Sequence, residues 1–273
     1  MSRSSHVRSI AAAYAGKKVW ITGASSGIGA AFLDLLGAAD IETIASAPES
    51  ECEKIDAATY PSVRVLPFDL TDRQSIHGVV SGAWKLFGSV DVLINNAGIS
   101  QRSYFAETDP AVLERVLDIN LMGTMWLTQA VVKRMIERRT GRIVTISSYA
   151  AWVPVPQRTA YSAAKAALIA MNDALRPELL DHGVGVTVVV PGAVRTAISV
   201  NAVTRDGSPH ARLDPNQAAG MAPEECAYRI LRGAAAGRRQ ITLAVPPRLF
   251  FARIVRRLAP GLFDRIISRA RVT

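Results

Sequence analysis

The sequence predicts an α/β fold: a doubly wound parallel sheet in three layers, with helices on both faces. Three observations predict it. Short apolar runs alternate with helical segments along most of the 273 residues, and strands separated by helices imply parallel neighbours joined by right-handed crossovers. The run 90–94 is apolar apart from Asp91, close to what a strand buried on both faces requires. The first apolar run ends in a glycine turn that opens a helix.

In chain order, residues 18–22 (KVWIT) form the first expected strand, and 24–36 a helix with Ile28, Phe32 and Leu35 or Leu36 on one face. Strands are expected at 41–47 and 63–68, then a helix over 71–87 with Asp72 in its first turn, where an acid suits the dipole. After the 90–94 strand comes a long helix, 110–139, then a strand at 141–147 and a helix at 159–181 that Pro177 should kink or end early. Strands at 185–190 and 241–244 complete the sheet. Without repeats or a low-complexity linker, residues 17–245 read as one domain, with 1–16 a solvated tail. The polar segment 197–222 follows a strand end on the side where such sheets bind ligands; it reads equally as a mobile lid or an ordinary surface loop.

Composition narrows the function. Hydrophobic residues make up 49%, ample for a core. No apolar run reaches the ~18 residues of a spanning helix. The two cysteines, Cys52 and Cys226, lack metal-ligand spacing and fit a reducing, cytoplasmic setting, and no metal site is expected. The net charge of +9 sits at the ends: +8 in 237–273, +4 in 1–18, leaving −3 in the body. A basic nucleic-acid groove would involve the body, so nucleic acid is not an expected partner.

The turn Gly23-Ala24-Ser25-Ser26-Gly27-Ile28-Gly29 follows the first strand. Glycines let the backbone turn sharply and approach a pyrophosphate, and a helix N-terminus adds free N–H groups and positive potential. The end of the second strand, Ala45-Ser46-Ala47-Pro48, has neither the acid that would hold a ribose 2′-hydroxyl nor an arginine for a 2′-phosphate. Ser46 could bond either group, and the missing acid tilts the expectation to NADP(H) over NAD(H). Asp69 past the third strand reads equally as an acceptor for an adenine amino group or as a helix cap.

Tyr161 and Lys165 are spaced i, i+4 and share a helix face. An ammonium beside a phenol favours the phenolate, which makes Tyr161 a usable proton donor or acceptor at a carbonyl oxygen. Ser148 ends the preceding strand, so its hydroxyl can reach the same oxygen. Asn95-Asn96-Ala97-Gly98 ends the fourth strand, and Asn120 lies mid-helix, where an amide does not help helix formation.

With these motifs the chain resembles the short-chain dehydrogenase/reductase family, in its compact Rossmann-fold branch. The resemblance covers residues 17–245 and rests on ordered motifs: the turn 22–29, Asn95–Gly98, Asn120, Ser148, Tyr161 with Lys165, and Pro191-Gly192 followed by Thr196. It implies a nicotinamide-dependent oxidoreductase acting on a ketone or secondary alcohol. Tyr161 would be the acid/base, Lys165 would hold the nicotinamide ribose, Ser148 rather than Ser147 would orient the substrate oxygen, and Asn120 would hold a relay water. Asp69 and Asn96 would line the adenosine side, Val190, Pro191 and Thr196 the nicotinamide side; Leu70, Ala97, Gly98, Gly192 and Val194 are expected to complete the cofactor surface. The resemblance also implies a homodimer or homotetramer packed through the helices at 110–139 and 159–181. The competing reading is a non-catalytic nucleotide-binding or redox-sensing protein on the same fold.

Beyond the last strand, 246–273 reads as two short basic amphipathic helices, 248–258 and 262–271, broken at Pro260-Gly261. In the first, Phe250, Phe251, Ile254, Val255 and Leu258 share a face. Peripheral contact with anionic lipid, and hence a bulky apolar substrate, is one reading. The favoured one is that these helices fold over the substrate cleft or a partner subunit.

Overall fold

The computed structural model describes residues 2–268. Seven parallel strands lie in the order β3-β2-β1-β4-β5-β6-β7: β1 (Val19–Thr22), β2 (Thr43–Ser46), β3 (Val63–Val65), β4 (Val92–Asn95), β5 (Gly141–Ile146), β6 (Val184–Pro191) and β7 (Gln240–Leu243). The order reverses between β1 and β4, which opens a crevice at the carboxyl ends of these two strands. The register places Thr22 beside Ser46 and Asn95 beside Thr145, so the residues after each strand emerge along one edge.

Helices cover both faces. On one side lie α1 (Arg3–Tyr14), α2 (Gly27–Ala38) and α8 (Pro223–Ala235). On the other lie α3 (Ile76–Phe87), α5 (Gly123–Arg138) and, over the sheet's β5–β6 side, α6 (Thr159–Glu178). The helix α4 (Pro110–Leu117) starts on a sound cap: Asp109 accepts from the backbone N–H of Ala111, and Pro110 fills the first turn. A four-residue turn of helix, α7 (Pro215–Ala218), lies inside the 197–222 segment. The chain ends in α9 (Pro247–Leu258) and α10 (Pro260–Ser268).

Several expectations change. Residues 3–14 are not a solvated tail: Ile10 and Tyr14 are buried against α2 and α8, and the Tyr14 hydroxyl donates to Leu231 O at 2.9 Å. Burial of two such side chains, ~1.5–3 kcal/mol each, holds a helix that has little sidedness of its own. The stretch 110–139 is not one helix; a π turn at Asp118–Met122 separates α4 from α5. Asn120 sits in that turn, its Nδ2 donating to Val116 O and Ile99 O, both at 2.9 Å. The helix expected from 71 starts at Ile76, because Asp69 and Asp72 turn the chain first. Pro177 lies inside the last turn of α6, which ends at Glu178 rather than at 181.

The 197–222 segment is tied to the body. Val203 exchanges backbone bonds with Ser100 and Arg102, and Met221 with Ala193 and Arg195. The terminal helices pack on the body, where Phe263 sits among Tyr149, Val153, Val188 and Val190. The face that α9 turns inward carries Leu249, Ala252 and Val255, with Arg253 stacked on Trp152 at 4.0 Å and Arg256 donating to Trp152 O at 2.6 Å. Phe250, Phe251, Ile254 and Leu258 face outward. Residues 269–271 of the second expected tail helix lie outside the described residues. No helix among the described residues is long and apolar enough to cross a membrane.

Candidate active site

One cavity of about 880 Å³ runs along the carboxyl edge of the sheet. Its wall includes Gly23, Ser25, Ser26, Gly27 and Ile28 from the glycine turn, Ser46, Asp69 and Leu70 from the β2 and β3 exits, and Asn96, Ala97 and Gly98 from the β4 exit. Ser148, Tyr161 and Lys165 line its other half, with Pro191, Gly192, Val194 and Thr196 beyond β6. Gly29 and Asn120 stand behind the wall.

The glycine turn is shaped by close approach. Gly23 has φ +65°, and a Cβ there would sit 2.7 Å from Ala97 Cα; one on Gly29 would sit 1.9 Å from Gly23 O. Asn96 Nδ2 ties the turn down with bonds to Thr22 O (3.1 Å) and Gly23 O (3.0 Å), and Thr22 Oγ1 accepts from the Asn96 and Ala97 amides. Asn96 thus holds the glycine turn against β4 rather than offering its amide freely to a ligand. This bare, N–H-rich turn at the mouth of a long cavity fits the pyrophosphate of a dinucleotide.

Ser46 does not fill the expected role. Its hydroxyl, 1% exposed, donates to Leu66 O (2.6 Å) and accepts from Trp20 Nε1 (2.9 Å), so it knits β2 to its neighbours and has little to offer a ribose or phosphate. The polar groups at that end are Glu51 and Lys54, from the 3₁₀ turn Glu49–Lys54; Glu51 accepts from Ser25 Oγ at 2.5 Å. Asp69 Oδ1 accepts both the Thr71 amide and the Thr71 hydroxyl at 2.8 Å, while the residue still faces the cavity.

At the other end the two serines after β5 divide. Ser147 is buried and donates to Lys165 O at 2.7 Å, which packs β5 against α6. Ser148 keeps its hydroxyl on the cavity side, accepting only the Ala150 amide at 3.1 Å. Lys165 is buried, its Nζ donating to Ile146 O at 3.1 Å and lying 5.8 Å from the Tyr161 ring centre. Burial lowers its pKa to about 8. Asn120 Oδ1 is buried with no partner, and a Cβ on Gly98 would meet both that oxygen (2.5 Å) and Lys165 Nζ (3.2 Å). An orphan acceptor and an ammonium converging on one point make a polar niche of the kind that holds a bound water.

Three further charged residues went unread in the sequence. Arg102, after β4, and Arg158, at the start of α6, both donate to Asp214 Oδ2, Arg158 at 3.0 Å. Arg102 and Asp214 are nearly sealed from solvent (1% and 8% side-chain exposure), and Arg158, at 20%, lines the cavity. The pairs are separated by 112 and 56 residues, beyond the reach of any local spacing rule. Among the described residues no three His, Cys, Asp or Glu side chains form a metal-holding group.

Known proteins agree with this architecture. The family described as short chain dehydrogenase matches residues 17–206. A dehydrogenase/reductase SDR family member 7B from Bos taurus is 41% identical over 93% of this chain and 81% of its own length. An SDR family protein 7-like from Anopheles gambiae is 36% identical over 93% and 83%. The crystal structure of a short-chain dehydrogenase from Streptomyces avermitilis superposes with a TM-score of 0.76 at 28% identity, covering 93% of this chain and 98% of that one. With a parallel seven-stranded sheet, a glycine turn at its switch point and relatives matched over most of their length, this chain belongs to the short-chain dehydrogenase/reductase family of oxidoreductases.

Proposed function

We propose that the protein transfers a hydride between a nicotinamide cofactor and a ketone or secondary alcohol, with Tyr161 as acid/base. One observation carries the reading: Ser148, Tyr161 and Lys165 line the same cavity that the glycine turn opens at its other end. A bound nicotinamide would supply or accept the hydride. Tyr161 would give its hydroxyl proton to the carbonyl oxygen in reduction and take it back in oxidation. Ser148 would donate to the same oxygen and hold it in line. Lys165 would bind the ribose hydroxyls and, from beneath the Tyr161 ring, favour the phenolate. The orphan Asn120 Oδ1 supports a water-borne proton path to Lys165.

NADP(H) remains the favoured cofactor: no acid ends β2, and Lys54 lines the cavity at that end. Glu51, bonded to Ser25, is the group that opposes it. The outward Phe250, Phe251, Ile254 and Leu258 beside the α9 arginines support contact with an anionic lipid surface and a bulky apolar substrate.

Quenching of protein fluorescence by NADPH and NADH in parallel, followed by a ketone panel, tests the reading. Binding is expected, with turnover that falls ~10²–10⁴-fold in Tyr161→Phe. Cofactor binding without turnover would favour a nucleotide-binding or redox-sensing protein; binding of neither cofactor would sink the enzyme.

A further inference from the structure

Arg102 and Arg158 share one carboxylate, Asp214, and Arg158 lines the same cavity as Tyr161. Two cations against one anion leave a net positive charge in a largely buried place, and buried charge is costly unless paired. Both Arg102 and Arg158 hold a buried Nε with no partner. Burial, reinforced by Arg158, pushes the Arg102 pKa down to about 9, and burial lowers that of Arg158 as well. The excess positive potential reaches His210, whose proton affinity is depressed by its burial and then by Arg102, Arg212 and Arg158.

The two arginines are not equivalent. Arg102 is sealed away, and its two terminal nitrogens donate to Asp214 and Gln101 O. Arg158 lines the cavity three residues before Tyr161, and only one of its nitrogens is engaged, by Asp214. With Nε buried, Nη1 and the second hydrogen of Nη2 are left as the end-on fork that pairs with a carboxylate or phosphate.

We propose that the substrate end of the cavity is built for a carbonyl compound bearing an anionic oxygen group, received by Arg158 while Tyr161 faces the carbonyl. The proposal rests on the carbonyl/alcohol reading above and adds the class of substrate. Arg102 and Asp214 act as positioning residues: they hold the Arg158 side chain against the wall and leave one positive charge unbalanced until the substrate arrives. A trio that merely latched the 197–222 segment would make no distinction between charged and neutral ketones.

The test is a matched pair of ketones, a medium-chain keto acid and its methyl ester, titrated calorimetrically into cofactor-loaded protein and assayed for kcat/KM. The readout is the acid-to-ester ratio within each protein, which a general loss of activity does not move. A charge-assisted bond should favour the acid about ten- to a hundredfold in the wild type. Arg158→Gln should bring the ratio to about one, and Arg158→Lys, which keeps the charge and loses the fork, should keep part of it. Should Arg158→Gln not fold, the wild-type ratio and its fall in Arg158→Lys decide. A hydroxyketone phosphate beside its unphosphorylated parent tells whether the preferred anion is a phosphate. Equal binding of acid and ester, binding of neither, or an acid preference that survives Arg158→Gln overturns the proposal. Cofactor quenching in the same samples separates the two failures: a protein that binds cofactor and reduces the ester as well as the acid is still the proposed oxidoreductase.

Discussion

At the glycine-turn end of the cavity the wall is shaped by backbone; at the Tyr161 end it is made by side chains, and its Arg158 is held from behind by charged residues from segments far apart in sequence. A Cβ on Gly23 or Gly29 would run into main-chain atoms, Gly27 takes φ +57°, and Asn96 ties the turn down through the main-chain oxygens of Thr22 and Gly23. Arg102, Arg158 and Asp214 instead come from the β4 exit, the start of α6 and the 197–222 segment, and meet only when all three have folded. A surface shaped by backbone constrains residue type over a short span, so it suits a part common to many ligands. One shaped by long-range charges can change with single substitutions, so it suits the part that differs.

The largest effect is expected at Asp214. Asp214→Ala leaves two guanidinium groups without their carboxylate, one of them sealed from solvent. Removing one partner of a buried pair costs about 3–5 kcal/mol, and denaturant unfolding should show a loss of that order. Asp206→Ala lies in the same segment but on the surface, bonded to Thr204 and Ser208, and should move the midpoint far less. Equal shifts for the two variants would mean that the trio is not a buried cluster.

At the other end the test is Gly29→Ala. Alanine favours a helix over glycine, yet here its Cβ would meet Gly23 O at 1.9 Å and Asn96 Nδ2 at 2.7 Å, so the turn must open. Cofactor affinity by fluorescence quenching should fall about a hundredfold, an effect on the order of 3 kcal/mol. Gly78→Ala in α3 meets nothing within 4 Å and should stabilise by about 0.5–1 kcal/mol with affinity unchanged. A Gly29 variant that binds like the wild type would show that the turn does not hold the pyrophosphate.

The same contrast decides what could be read from the sequence. The glycine turn, Asn95–Gly98 and the Tyr161–Lys165 pair were legible because each is a local spacing with a local cause. The seven strands were legible as apolar runs, with shifted ends. Ser46 was visible as a residue but not in its role, since the capture of its hydroxyl by Trp20 and Leu66 is a tertiary event. The α8 helix was missed although its signal was present: Pro223 at the start, Glu224 and Glu225 in the first turn, and Cys226, Ala227, Ile230, Leu231 and Ala234 on one buried face. The α1 helix offered less, because its burial depends on just Ile10 and Tyr14 meeting α2 and α8. The outward turn of Phe250 and Phe251 had no local signal: Leu249, Ala252 and Val255 face inward onto Tyr149 and Val153, and Arg253 stacks on Trp152, partners about a hundred positions away in the chain.

Lys165 stands where the two ends meet, and its titration gives the smallest and most specific effect. Burial holds its pKa at about 8 against an ordinary 10.5. Between these values the unfolded chain binds the proton and the folded one releases it, so stability rises with pH across that window. The penalty for the buried ammonium is complete below about pH 8 and is lifted as the pH climbs toward 10.5. After allowance for relaxation the gain should be on the order of 2 kcal/mol. Urea midpoints measured from about pH 7.5 to 9.5 should therefore climb in the wild type, and Lys165→Met, which has no proton to lose, should flatten that climb. A bound cofactor whose ribose hydroxyls accept from the ammonium would favour its charged form, so saturating cofactor should shrink the climb in the wild type and leave the variant unchanged. Parallel pH profiles for the two proteins would mean that the ammonium is solvated, and would remove the buried charge on which the proposed acid/base role of Tyr161 rests.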